Sequence, residues 1–221
     1  KSDFEIEDLL SQLIQQDNKN SFNEYCINNF IKSALKFDSN IFNQTYSEAF
    51  KKYNTIDFYK KIMLPTFSKI GLFWLTNKIN PAQEHFLSEM FKQKIYKQID
   101  EESTYKNNKA KTWLLFLPQK EHHEMGLLFT RYLLHNKGYN VVYLGANVPL
   151  PALHEISKNT KIDNTLFFVV SNFAKLNISE TARSVNKYFP KSKNYVVSNQ
   201  KLEEKIKIKT IHSVDEFLDL I

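Results

Sequence analysis

The chain has 221 residues, of which 42% are hydrophobic and 24% charged, with a formal net charge of +6. That composition excludes a disordered or fibrous chain and suffices for one large domain or two small ones. No apolar run reaches the roughly 20 residues of a membrane-spanning helix, nothing at the start has a signal-peptide layout, and the single Cys26 excludes an internal disulfide or a Cys-rich zinc site, so a cytoplasmic chain with no membrane association is expected. It begins at Lys1 rather than Met, as a processed chain or an excised piece would.

The first half reads as helices only. Ile6, Leu9, Leu10, Leu13 and Ile14 recur at helical spacing, and an Asn/Asp/Lys break follows at Asp17 to Asn20. A second stripe is formed by Phe22, Tyr25, Cys26, Asn29, Phe30 and Ala34; Ser39 or Asn40 can cap a third helix carrying Phe42, Tyr46, Ala49 and Phe50. The fourth, Thr55 to Thr76, contains Pro65, which predicts a kink or break near Leu64. The fifth has the clearest start, with Asn80 as N-cap, Pro81 at the first helical position and Gln83 closing a capping box, and runs to about Glu102. The polar stretch between Asp100 and Lys111 reads as a linker.

Beyond it the pattern changes to short apolar runs at Trp113–Leu117, Val141–Leu144, Leu166–Val170 and Tyr195–Val197, with a shorter fifth at Ile206–Ile211. Such runs mark strands buried on both faces. Helical stretches alternate with them at Met125–Asn136, Leu150–Lys158, Ser179–Phe189 and from Ser213, which predicts a parallel sheet covered on both sides. Its binding edge lies at the carboxyl ends of the strands, in the loops that start at Pro118, Gly145, Ser171 and Ser198. Charge is also uneven: residues 1–108 hold 14 Lys, no Arg and 14 acids, whereas residues 109–221 hold 16 basic and 10 acidic residues. The lysines of the second half are scattered, and a solvated face explains them better than a polyanion site.

The loop after the first strand, Pro118-Gln119-Lys120-Glu121-His122-His123-Glu124-Met125-Gly126, brings two imidazoles and two carboxylates to the binding edge. One reading is a metal ligand oriented by a carboxylate, a single imidazole donor to a metal that brings its own equatorial ligands. The other is a plain helix start whose acids complement the dipole and whose histidines are solvated. His135, His154 and His212 show no ligand spacing to this loop, which argues against a four-ligand zinc site.

Glu121-x-His123-x-x-Gly126 resembles the Asp-x-His-x-x-Gly motif of cobalamin-binding Rossmann-like domains, with Glu in place of Asp, and Leu144-Gly145-x-x-Val148-Pro149 is similar to the segment that follows in them. The resemblance implies that His123 is the lower ligand of cobalt, that Glu121 orients it, and that Gly126 lets its helix approach the corrin, with Val148 and Ser171 in the cofactor site. Trp74 and, after nine intervening residues, Glu84-His85 resemble the helical cap of light-responsive, adenosylcobalamin-binding regulators of the MerR type. There the Trp covers the upper corrin face and the Glu-His pair lies by the adenosyl group. One departure is Ser198-Asn199-Gln200, which stands where these domains carry a Gly-Gly pair that makes room for the nucleotide tail.

The expected fold is therefore an all-α helical bundle at residues 1–103, the cobalamin cap, followed at residues 111–221 by an α/β Rossmann-like, flavodoxin-like parallel sheet. The expected function is the cobalamin-binding effector domain of a MerR-like transcription regulator: a homo-oligomer, not an enzyme, that holds adenosylcobalamin, senses light and reaches DNA only through an N-terminal domain outside this chain. Two alternatives share the motifs. One is a corrinoid carrier of a methyltransferase system; the other is an interaction module that kept the fold and lost the cofactor. A phosphoacceptor receiver would need acids where Leu117-Pro118 and Ser171-Asn172 stand, and a dinucleotide-binding oxidoreductase a glycine-rich turn that Pro118 to Glu124 lacks.

Overall fold

The computed structural model describes residues 21–76, 78–101, 110–170 and 177–221. The helix expected over Ile6–Ile14 and the turn at Ser171 lie outside these residues. The chain forms two compact units that divide between Gln93 and Lys94.

The first unit is helical: α1 (Phe22–Lys36), α2 (Ser39–Phe50), α3 (Thr55–Phe58), a π-helical segment (Tyr59–Met63), α4 (Leu64–Leu75) and the start of α5 (Pro81–Glu101). Its core is aromatic, because the apolar stripes of α1, α2 and α5 carry Phe at their inward positions. Phe30, Phe42 and Phe91 meet pairwise with ring centroids 4.9 to 5.0 Å apart. Tilted and edge-on pairs of this kind add about 0.5–1.5 kcal/mol each beyond the area they bury.

Two local expectations change. The cap of α2 is Asp38 rather than Ser39 or Asn40, its carboxylate accepting from the amides of Asn40 and Ile41. At Pro65 the helix neither breaks nor stops. Proline cannot donate to the carbonyl four residues back and its ring crowds that carbonyl, and the chain answers by widening into the π segment, in which the Leu64 amide reaches the Tyr59 carbonyl. The buried Thr66 hydroxyl then donates to the Ile62 carbonyl at 2.7 Å. The capping box of α5 forms as its sequence predicts: the Asn80 amide donates to Gln83 Oε1 at 3.0 Å and the Gln83 amide to Asn80 Oδ1 at 2.9 Å. Gln83 Nε2 also donates to the Leu35 carbonyl, tying the start of α5 to the last turn of α1.

The second unit holds β1 (Thr112–Phe116), α6 (Met125–Asn136), β2 (Asn140–Tyr143), α7 (Ala152–Asn159), β3 (Asn164–Val169), α8 (Ile178–Tyr188), β4 (Lys193–Ser198), β5 (Lys209–Thr210) and α9 (Val214–Leu218). All pairings are parallel and the order is β2-β1-β3-β4-β5. This is the flavodoxin-like order. Leu114, Phe116, Phe167, Val169 and Val196 of the central strands pack against Leu153, Ile178, Ala182, Val185 and Phe189 of the flanking helices. The fifth strand is shorter than expected, pairing only through Lys209 and Thr210, because the backbone turns back on itself between Glu203 and Ile208. α5 ends at Glu101, close to the end near Glu102 that its sequence predicts. No helix among the described residues is long and apolar enough to cross a membrane.

Candidate functional site

In the order β2-β1-β3 the connections leave β1 and β3 in opposite directions, which opens a crevice beyond their carboxyl ends. Glu121 lies at that place. It follows β1 and is completely buried, and its two oxygens serve different strands. Oε2 accepts from the amide of Val170, directly after β3, at 2.9 Å. Oε1 accepts from the amides of His122 and His123 at 3.0 and 3.1 Å and meets Nδ1 of the His123 ring at 2.6 Å.

An ionised carboxylate only accepts, so the neutral His123 ring carries its proton on Nδ1 and its lone pair on Nε2. The ring itself is 62% exposed. A buried carboxylate that fixes the tautomer of an accessible imidazole is the arrangement that orients histidine ligands of transition metals. Among the described residues no group of three or more His, Cys, Asp or Glu side chains could enclose a metal ion. What the loop offers is one accessible imidazole beside a buried carboxylate.

The loop that carries His123 is locked to the loop after β2. Pro118 bridges to the buried Val148, and the Leu117 amide donates to the Gly145 carbonyl. Lys120 and Asn147 both have left-handed backbones, with φ of 73° and 59°. Non-glycine residues pay for that conformation; here Asn147 recovers the cost by accepting from the Lys120 amide through Oδ1 at 2.9 Å while its own amide donates to the Glu121 carbonyl.

Glu124 occupies the N-cap position of α6 but makes no side-chain cap. Its Oε1 instead accepts from the Tyr143 hydroxyl at 2.8 Å. Burial first, and the Glu124 charge second, hold that hydroxyl far above the ordinary tyrosine range. Gly145, at φ 71°, passes so close that a Cβ there would lie 2.9 Å from Glu124 Oε1. Gly126 sits in the first turn of α6, where its carbonyl accepts from Thr130 Oγ1. Neither acid caps α6 through its side chain, and both His122 and His123 are exposed.

Ser198 ends β4 in a closed turn. Its buried hydroxyl donates to the Val169 carbonyl at 2.6 Å and accepts from the Gln200 amide at 3.0 Å, so the ends of β3 and β4 are joined where a glycine pair was expected.

In the helical unit Trp74 lies on the last turn of α4 and is 40% exposed, flanked by Leu72 at 62% and Leu75 at 63%. Glu84 and His85 lie in the first turn of α5, with Glu84 Oε2 3.2 Å from His85 Nδ1 and Glu84 Oε1 accepting from Ser88. An apolar helix end of this kind is a surface feature that calls for an apolar partner. Leu72 and Leu75 were missed in the sequence, although the run Gly71-Leu72-Phe73-Trp74-Leu75 is too apolar for a plain helix terminus. Tyr143, Asn147 and the Val170 amide were missed as well. A tyrosine in a strand and a backbone N–H carry no sequence signal of their own.

Residues 26–97 match the family model of a B12 binding domain. No curated protein matches the chain. Among solved structures it is similar to a monomethylamine corrinoid protein of Methanosarcina barkeri, at 13% identity and a TM-score of 0.69, covering 90% of this chain and 96% of that one. Weaker likenesses are to a cobalamin-binding protein of Desulfitobacterium hafniense (14% identity, TM-score 0.43, covering 88% and 96%) and to the methanol:cobalamin methyltransferase complex of Methanosarcina barkeri (14%, 0.37, covering 80% and 68%). The helical part of this chain therefore carries the sequence pattern of a B12 binding domain, and the chain as a whole has a fold shared with a corrinoid protein.

Proposed function

We propose that this chain binds a corrinoid and supplies His123 as the lower axial ligand of its cobalt. The observation that carries the reading is the buried Glu121, which holds Nδ1 of an exposed imidazole and thereby leaves Nε2 as the basic nitrogen at the carboxyl edge of the sheet. When bound, the corrinoid supplies a cobalt–carbon bond that can be made and broken. The protein's part is to fix the imidazole, to present Gly126 and Val148 beside it, and to offer the apolar surface of Leu72, Trp74 and Leu75 to the large flat macrocycle. Ser171 belongs to the same proposed site. The domain assignment goes with it, residues 1–103 as cap and 111–221 as the Rossmann-like part. The turn closed by Ser198 fits a bulky nucleotide tail less well than glycines would, because a side chain and its hydrogen bond occupy the gap between two strand ends.

For what the corrinoid serves, the reading we favour is the sensor of a MerR-like regulator with adenosylcobalamin, in which Glu84 and His85 lie by the upper ligand. It draws on the resemblance of Trp74 and on the Glu84–His85 pair, in which His85 is exposed and Glu84 half-buried. A regulator of this kind works by oligomer contacts and acts on DNA through a separate domain. Ligand loss or light shifts it only if two states differ in affinity for the cofactor. The second reading, a methyl-carrying corrinoid protein that docks on a methyltransferase and is not itself the catalyst, is favoured by the fold shared over almost the whole length of the monomethylamine corrinoid protein.

The test is an absorption spectrum of the protein mixed in the dark with adenosylcobalamin, desalted and then illuminated, beside H123A. Retained corrin with a spectrum that shifts in H123A supports the ligand assignment, and a light-dependent change in assembly selects the sensor. Retention of methylcobalamin without a light response selects the carrier. Failure to retain any cobalamin refutes the cofactor reading.

A further inference from the structure

Nothing in the motif assigns a part to Tyr143 or Arg131, yet Tyr143 bonds the residue that follows His123 and Arg131 covers the Tyr143 ring. The His123 loop is fastened to the sheet on both sides of the histidine. Ahead of it lie the bond from Lys120 to Asn147 and the two-strand grip of Glu121. Behind it lies the bond from Tyr143 to Glu124. His123 is thus held between two anchored carboxylates, one on β1's loop and one at the first turn of α6.

The second anchor is built with care. The Tyr143 hydroxyl lies at the end of β2 and stays a donor at any ordinary pH, because burial disfavours its ionised form. Its ring is covered by the guanidinium of Arg131, whose Cζ lies 5.1 Å from the ring centroid. Arg131 is two turns along the helix that Glu124 begins, so the same ring is fixed from the strand and from the helix. Gly145 clears the space for the carboxylate: its φ of 71° and a would-be Cβ 2.9 Å from Glu124 Oε1 exclude any larger residue without displacing Glu124.

Taken with the corrinoid reading, on which it rests, this geometry has a direct consequence. We propose that Tyr143 is a positioning residue for His123, acting through Glu124 to hold the start of α6 against β2 so that the imidazole stands ready for axial ligation. Loss of this tie removes one of the bonds that hold the start of α6, and the ring then spends less of its time where the metal needs it. Supporting groups of this kind commonly change metal binding by about 10–100-fold.

The test uses the full chain loaded with aquocobalamin and reduced to cob(II), read by electron paramagnetic resonance. A nitrogen ligand splits each cobalt line into three, and histidine as its source is proved by collapse to two in protein labelled with ¹⁵N-histidine. Y143F and G145A are expected to retain corrinoid within about twofold of the parent chain while their histidine-ligated fraction falls on the order of tenfold. E124Q keeps an oxygen acceptor for the Tyr143 hydroxyl and is expected to ligate like the parent chain. Unchanged histidine splitting in Y143F overturns the proposal alone. Equal losses of retention and splitting in Y143F assign Tyr143 to the fold and overturn it too. A parent chain that retains corrinoid without histidine splitting overturns the His123 ligand assignment and this inference with it, whereas one that retains no corrinoid overturns the corrinoid reading itself.

Discussion

Glu121→Gln is the substitution whose effect follows most directly from geometry. The described groups that face the carboxylate are N–H donors: Oε1 has the amides of His122 and His123 and the Nδ1–H of His123, and Oε2 has the amide of Val170. An amide of the same shape must turn its NH2 toward one of these sides. Facing Oε1's partners it opposes three of these donors and facing Val170 one of them, so the second orientation is expected. The change then leaves one part-buried amide unsatisfied and removes the charge assistance of three hydrogen bonds. Together these amount to about 2–4 kcal/mol. For an α/β unit of this size that lowers its melting temperature by on the order of 10 °C. Thermal unfolding of the cofactor-free chain, with amide hydrogen exchange at Val170, reads both consequences. A melting temperature within about 2 °C of the parent chain, with the Val170 amide as protected as before, would show that the two-strand grip of Glu121 is not what holds this loop.

The remaining predictions concern single groups elsewhere. Asn147→Ala loses the bond to the Lys120 amide and keeps a left-handed backbone that alanine tolerates less well than asparagine, a cost of about 1–3 kcal/mol by urea denaturation, whereas Asn147→Gly, relieved of the strain, costs less. Gln83→Ala removes one half of the capping box and the bond to the Leu35 carbonyl, and is expected to cost about 1–2 kcal/mol by the same measurement. Burial, with the Glu48 charge second, pushes the Cys26 thiol up from 9.0 to about 11, only partly countered by Lys52. A raised thiol pKa favours the folded state fully below the unfolded value and progressively less as pH rises from about 9 toward 11; the thiolate absorbance of the native chain is therefore expected only near pH 11, and its appearance at pH 9 would contradict the burial argument. Trp74→Ala, at a half-exposed helix end, is expected to change stability by no more than about 1 kcal/mol while markedly reducing retention of cobalamin on desalting.

What the sequence by itself determined depends mostly on near neighbours along the chain. The capping box at Asn80–Gln83 is a contact over three residues, and its partners are the ones the spelling names. Four of the strand–helix alternations could be read because a strand buried on both faces spells a continuous apolar run, and α6 begins and ends where its pattern does. Even Pro65 was legible as a disturbance of the helix. That it would be absorbed by a π segment depended on Thr66 and the packed core around Ile62 and Met63, which favour a continuous helix over a broken one.

The site divides in the same way. Glu121 and His123 are two residues apart, and their bond is a local event that a motif can carry. The other half of Glu121's grip joins it to Val170, 49 residues away, and exists only because β3 lies beside β1 in the sheet. Tyr143 meets Glu124 across 19 residues for the same reason, β2 being the other neighbour of β1. Strand order is set by how crossover helices cover the sheet, an energy summed over the whole unit, and no stretch of sequence states it. The chain's own spelling therefore names the imidazole and the carboxylate beside it, while only the tertiary structure decides which backbone amide and which tyrosine hold them in place.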